Sequence, residues 1–205
     1  MEYTLKHVSG PATEPVSLAE AKAHLLIEDL TLTSAQTADL ESKIRAARRE
    51  AEGYLGRKIG VQVWDILIDS FPWFTFWRIP LEPLISVDSI VYLDADGDEV
   101  TVPAETFGHS ADKGLLWLVE GQTWPTEYYY PFAGIRVRVT VGIQPESDGA
   151  SPATLRYPDN IRQAILVRLG TLYSIREDQT LGTTMQAGKV GTFEALLSSE
   201  KDIRP

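Results

Sequence analysis

Between Gly56 and Val61 the spacing of apolar residues changes from three or four to two, and after Pro158 it changes back. Leu40, Ile44, Ala47, Ala51 and Leu55 recur at steps of four, three, four and four, which lines them up on one stripe of a helix. From Val61 the period is two: Val61, Val63, Asp65, Leu67 and Asp69 alternate with Gln62, Trp64, Ile66 and Ile68. Ile135, Val137, Val139 and Val141 alternate with Arg136, Arg138 and Thr140 in the same way. Ile161, Ile165, Leu169 and Leu172 then return to a helical stripe, widened by Leu166 and Tyr173. Neither flanking helical stretch can bury its stripe alone. The order therefore predicts an α+β chain: a small helical bundle of three main helices, an antiparallel β unit inserted in it, and a flexible C-terminal tail. The expected boundaries are 1–60 plus 150–176 for the bundle, 61–145 for the β unit and 177–205 for the tail.

Local signals place the elements. Gly10-Pro11 and Pro15 mark residues 1–15 as an extended lead-in. Ser17-Leu18-Ala19-Glu20 is a capping box, and Leu18, Ala21 and Leu25 follow at helical spacing, so a short helix is expected at about 18–28. The second helix is expected over about 36–56, with Gly56 as its stop. Ser86 to Leu93, the turn Asp94-Ala95-Asp96-Gly97-Asp98 and the return Glu99 to Val102 read as a hairpin. Leu115 to Val119 is a further strand, giving five or six in the unit. Residues 142–158, rich in Pro, Gly and Ser, read as a linker, and a third helix is expected over 159–175. There is no internal repeat.

Charge and aromatic residues are concentrated in the middle. The chain of 205 residues has net charge −10, and residues 61–145 hold 12 acids against 4 bases. The same stretch contains all 5 Trp. An acidic surface disfavours phosphate-backbone binding as the main activity. There is no cysteine, which excludes a disulfide framework, thiolate catalysis and Cys-based metal sites. No apolar run approaches the ~18 residues of a membrane span. No signal peptide is expected, because Met1 to Lys6 lacks a basic stretch followed by an apolar one.

None of the candidate catalytic or metal patterns holds together. Asp94, Asp96 and Asp98 resemble a calcium loop, but Gly97 is fourth rather than sixth and the flanks are strands, so a turn is expected and no metal. His7, His24 and His109 have no zinc-pair spacing, and no nucleophile elbow supports a serine triad. Gly182, Gly188 and Lys189 miss the phosphate-loop spacing by one residue, and Val190 stands where Ser or Thr is needed. No cofactor is implied, and an enzyme is not expected.

Two clusters suit contacts instead. Lys43, Arg45, Arg48 and Arg49, with Arg57 and Lys58, make a basic stretch that reads as a solvated helix face, a nucleic-acid contact or a subunit interface. The run Phe71-Pro72-Trp73-Phe74-Thr75-Phe76-Trp77 is too dense to be all core, and Tyr128-Tyr129-Tyr130 repeats the pattern. Core plus protein interface is the main reading, and a carbohydrate or ligand platform the other.

Longer segments carry a resemblance. Glu14-Pro15-Val16-Ser17-Leu18-Ala19-Glu20-Ala21-Lys22-Ala23-His24-Leu25 resembles the opening of the head–tail connector (adaptor, or head-completion) proteins of long-tailed phages and prophages. Ile44 to Arg57, Gln62-Val63-Trp64-Asp65, Leu84 to Ile90 and Pro158 to Ile165 extend it, so that it covers about residues 14–175. The resemblance implies a structural virion protein, a helical bundle that assembles as a ring, commonly of twelve subunits, under the portal. Such a ring extends the DNA channel and docks the next neck protein, a tail terminator or stopper. It also implies a place at the head–tail junction after synthesis in the bacterial cytoplasm, DNA only passing through, and no membrane. Gene transfer agents use a related protein. The expected subunit or partner interface is Arg45, Arg48, Arg49, Trp73, Phe74 and Trp77. A tail cluster of Val190, Phe193, Leu196 and Leu197 is expected to form a short helix capped by Thr192 that orders against the portal or another subunit. The alternative is a ligand- or carbohydrate-binding accessory protein using the aromatic β unit.

Overall fold

In the computed structural model, residues 2–71, 76–126, 134–147, 155–174 and 191–201 are described. The chain divides into two compact units, Met1–Ala12 with Arg57–Ile143, and Thr13–Gly56 with Gln144–Pro205. It is α+β, as its periodicity predicts.

The first unit is all β among its described residues, apart from one short 3-10 turn. In chain order its strands are β1 (Tyr3–Ser9), β2 (Gln62–Ile68), β3 (Phe76–Arg78), β4 (Leu84–Leu93), β5 (Glu99–Thr101), β6 (Phe107–Ser110), β7 (Leu115–Leu118) and β8 (Ile135–Val141). They make a five-stranded sheet in the order β1-β2-β8-β4-β5 and a three-stranded sheet in the order β3-β7-β6. Every pairing between these strands is antiparallel. Ile66, Ile68, Val137, Val139 and Ile90 from the large sheet share one core with Trp77, Leu116 and Ile79. The strict alternation of β8, with Val137 and Val139 inside and Arg136 and Arg138 outside, shows why period two was the decisive signal.

The two ends of the inserted segment are tied together. The Gly60 N–H donates to the Ile143 carbonyl at 3.0 Å, and the Ile143 N–H donates to the Lys58 carbonyl at 2.8 Å. Gly142 has φ 127°, and a side chain there would run into the Gly60 carbonyl. A glycine is needed at that close approach.

In the second unit, α1 (Leu18–His24), α2 (Ser34–Leu55), α3 (Asp159–Ser174) and α4 (Thr192–Ser198) pack together. The stripe Leu40, Ile44, Ala47, Ala51 and Leu55 of α2 is buried, as are Ile161, Ile165 and Leu169 of α3. The Ser17–Glu20 capping box forms, and Gly56 ends α2 in the left-handed conformation at φ 68°.

Four details differ from expectation. Residues 3–9, placed with the bundle as a lead-in, form β1 and pair with β2 in the β unit. Helix α1 ends at His24, and Leu26 follows with φ 57°, which an α-helix cannot continue through. Residues 61–145 hold seven strands among their described residues, not five or six, because the short β3 and β6 carry too few residues to show a period. The 142–158 linker contains a two-stranded ribbon, β9 (Glu146–Ser147) with β10 (Leu155–Arg156).

Candidate assembly surfaces

The outer face of the large sheet carries a row of charges. Lys6 of β1 stands opposite Asp65 of β2, and Asp65 stands opposite Arg138 of β8. Arg138 donates to both Asp65 carboxylate oxygens, at 2.8 and 3.0 Å. These hydrogen bonds hold the Asp65 carboxyl below its ordinary value against the effect of burial, helped by the charges of Arg138, Arg136 and Lys6. The same pair raises Arg138, through the hydrogen bond and then the charge of Asp65, with Asp88 and Glu99 adding to it. Arg136 reaches Glu99 of β5 at 2.8 Å, and the Thr140 hydroxyl donates to Asp88 at 2.7 Å. The row spans the sheet from edge to edge.

The basic helix face separates into two sets. Arg48 is buried, against its expected place at an interface. Its Nε donates to Glu14 at 2.7 Å and its Nη1 to Glu52 at 2.5 Å. Burial opposes its charge, and the hydrogen bonds and charges of Glu14 and Glu52 outweigh that and raise its pKa. Arg48 follows Ile44 by four residues, about 40° round the helix, which puts it at the margin of the stripe, and Glu14 reaches it there. Arg45 and Arg49 are exposed, and Arg45 makes a loose 3.9 Å pair with Glu41. Arg162 of α3, which sequence reasoning did not single out, pairs with Glu20 and with Asp159. Asp159, three residues before Arg162 on the same helix, was the available signal.

In the β unit, Trp77 lies in the core and is not an exposed interface residue. Its neighbour Phe76 is 59% exposed, because alternation along β3 sends the two rings to opposite faces. Trp73, Phe74 and Tyr128 to Tyr130 lie outside the described residues. Phe76 lines a surface groove of about 390 Å³ with Ser110, Lys113, Leu115, Trp117 and Leu118. Gly108 lies directly under the Trp117 ring, leaving no room for a side chain at that position. Phe71 stacks on Trp124 with ring centroids 5.0 Å apart.

The tail residues are used inside the chain. Helix α4 packs on α3 and α2, and Phe193 and Leu197 are buried there. The Phe193 ring meets Tyr54 edge-on at 6.3 Å, and Lys201 lies 5.0 Å from the same tyrosine ring. Asn160 donates to the Ser199 hydroxyl at 3.0 Å. The spacing of Phe193 and Leu197 by one turn foretold the short helix but not its partner. These two side chains are not free for a docking surface in this arrangement, and Leu196 is half-buried. The N-cap is Gly191, with Thr192 the first helical residue. Val190 and the Gly182–Lys189 stretch lie outside the described residues.

The Asp94 turn is the expected hairpin. Its Oδ1 accepts from the Asp96 and Asp98 N–H groups at 3.0 and 2.9 Å. Among the described residues no three His, Asp or Glu side chains are grouped to hold a metal ion. Nor is any described helix long and apolar enough to cross a membrane. His7 lies in β1, edge-on to Trp64 at 4.9 Å, and His109 is exposed in β6.

No protein-family model matches the sequence, and no curated protein matches it. Solved structures do. The fold is similar to that of a chain in the neck of the empty GTA particle computed with C6 symmetry, with a TM-score of 0.66 and 21% identity. That likeness covers 98% of this chain and 97% of the other. A chain in the neck of the native GTA particle computed with C12 symmetry gives 0.65 and 20% identity, over 98% and 97%. A chain in the virion of the native gene transfer agent particle gives 0.63 and 21%, over 98% and 96%.

Proposed function

We propose that this chain is a structural subunit of a phage-type neck, a head–tail connector that assembles with copies of itself as a ring against a portal. In that place it extends the DNA channel, docks the next neck protein and has no catalytic task. The observation that carries this reading is the end-to-end likeness to chains of gene transfer agent necks, which includes the β unit as well as the helical unit. The resemblance in residues 14–175 points the same way. Twelve copies would suit a ring of this kind, and the source would be a phage, a prophage or a gene transfer agent.

Physical features support it. A ring needs two different faces per subunit that fit each other, and this chain has unlike surfaces to offer. A net charge of −10 suits a channel that passes DNA without retaining it. Arg45 and Arg49 remain exposed for a neighbouring subunit or passing DNA. Because Phe193 and Leu197 are already buried, portal docking through the tail would require α4 to leave its groove.

Native mass measurement of the chain alone and mixed with its portal tests the reading. A complex of portal with a whole ring of this chain is expected. A portal that gains no mass at any ratio would overturn it. The second reading, ligand binding by the β unit, is favoured only by the Phe76–Trp117 groove. Saturable binding of an oligosaccharide, lost in Trp117→Ala, would revive it.

A further inference from the structure

The large sheet has two edges, and they are unlike. β1 is seven residues long, and among the described residues no strand pairs with its outer side. Edge strands in soluble proteins are ordinarily short, charged or covered. Here Tyr3, Leu5 and Val8 are exposed at 46%, 37% and 42%, with Lys6 between them. At the other edge, β5 is three residues long and follows the acidic turn of Asp94, Asp96 and Asp98.

The row of charges on the outer face links these edges. It starts with Lys6 on β1, passes through Asp65 and Arg138, and ends through Arg136 at Glu99 on β5. It is thus positive at one edge and negative at the other. Such a row is complementary to itself only head to tail. Placing β1 against β1 would bring Lys6 towards Lys6 and give Glu99, held by Arg136 in its own subunit, no cation across the boundary.

We infer that β1 of one copy pairs with β5 of the next, so that the sheet continues across the subunit boundary and Lys6 meets Glu99. The inference rests on the ring reading above and names the surface that makes the ring. A head-to-tail contact closes into a ring when its rotation allows. In a sheet of five alternating strands the first and last run the same way. The rotation between neighbours is small in a ring of many subunits, so the joint is parallel. With Lys6 opposite Glu99, a parallel joint sets His7 opposite Val100 and brings Val8, the bulged residue between His7 and Ser9, towards Thr101. Leu5, in register with Ile66 on the apolar side of the sheet, then lies diagonal to Val100 of the neighbour.

The absence of cysteine from the chain makes the test direct. Particles are produced with the chain carrying Lys6→Cys together with Glu99→Cys, oxidised, and run on a gel without reductant. A ladder reaching beyond dimer, collapsed by reductant, is expected. Val8→Cys with Thr101→Cys should give the same ladder, whereas Thr4→Cys with Thr101→Cys should not. A dimer from Lys6→Cys alone would mean that β1 meets β1, and would overturn the inference. A ladder only from the Thr4 pair would overturn the parallel joint. If neither expected pair cross-links while an amine-reactive reagent still yields multimers of the chain, the edge joint is wrong and the ring reading stands. If nothing yields multimers, both fall. Should loss of Lys6 prevent assembly, the Val8 and Thr101 pair decides, because it removes no charge.

Discussion

Asp65 on β2 and Arg138 on β8 are locked face to face by two hydrogen bonds of 2.8 and 3.0 Å, with Asp65 almost wholly buried and Arg138 40% exposed. The two strands come from opposite ends of the inserted segment, so this pair fixes a register that joins its beginning to its end. Removing the exposed partner leaves the buried one uncompensated. Arg138→Met should therefore cost about 1.5–3 kcal/mol, the range for hydrogen bonds to charged groups, as read from urea unfolding. An unchanged midpoint would mean that Lys6 alone satisfies Asp65.

The same pair predicts a pH dependence. Asp65 and Glu20 both have carboxyl groups lowered from their ordinary values. For Glu20, burial pushes upward, and the Ser17 N–H and hydroxyl together with Arg162 overcome it. A lowered carboxyl stabilises the fold above its unfolded pKa, and that contribution is lost as pH falls through the folded value. Stability should thus be full at neutral pH and decline from about pH 4 downward. Asp65→Asn should flatten the decline in thermal melts taken from pH 6 to pH 3. A slope identical to that of the parent chain would remove Asp65 from this account.

Arg48 holds two carboxylates, and Glu52 beside it is 6% exposed. Arg48→Ala should cost about 3–5 kcal/mol, because it removes one partner of a buried ion pair. Arg48→Met combined with Glu52→Gln should cost less than the single alanine change. Arg45→Ala, on the exposed side, should stay within about 0.5 kcal/mol. Equal losses at Arg45 and Arg48 in chemical denaturation would contradict the burial that separates them.

Helix α4 should behave as part of the helical unit. Leu197 is fully buried, so Leu197→Ala should cost about 2–5 kcal/mol, and Phe193→Ala about 3–5 kcal/mol. Deleting residues 191–205 should lower the melting temperature, whereas a free tail would leave it untouched. Calorimetry on the purified chain distinguishes the two.

Gly142 should not tolerate a side chain. Its φ of 127° and the Gly60 carbonyl in the path of a Cβ predict a loss of about 1–3 kcal/mol or more in Gly142→Ala. Gly53, whose Cβ position is open, should gain stability on change to alanine by roughly 0.5–1 kcal/mol, being inside α2. A thermal melt of each variant checks both signs.

Much of the helical unit could be read from local pattern. The α2 stripe, the Ser17 capping box and the left-handed Gly56 stop involve residues within a few positions of each other, and those interactions do not depend on the rest of the fold. The alternation of β8 was equally plain, since a strand covered on one face must sort its side chains by twos. The candidate interface was less legible. Arg48 and Trp77 belong to residue types common on contact surfaces, yet both are buried, because their partners Glu14 and the β-unit core are distant in sequence.

The sequence by itself determined the main helices and the longer strands, where the period changes, and that the β unit interrupts a helical whole. Only the tertiary structure decided what each segment meets. Tyr3–Ser9 joined β2 rather than the bundle, because strand partners are chosen by backbone hydrogen bonds that every residue can make and no side-chain pattern announces. Phe193 and Leu197 turned inward onto α2 and α3, because an apolar pair one turn apart specifies that it will be buried but not by what.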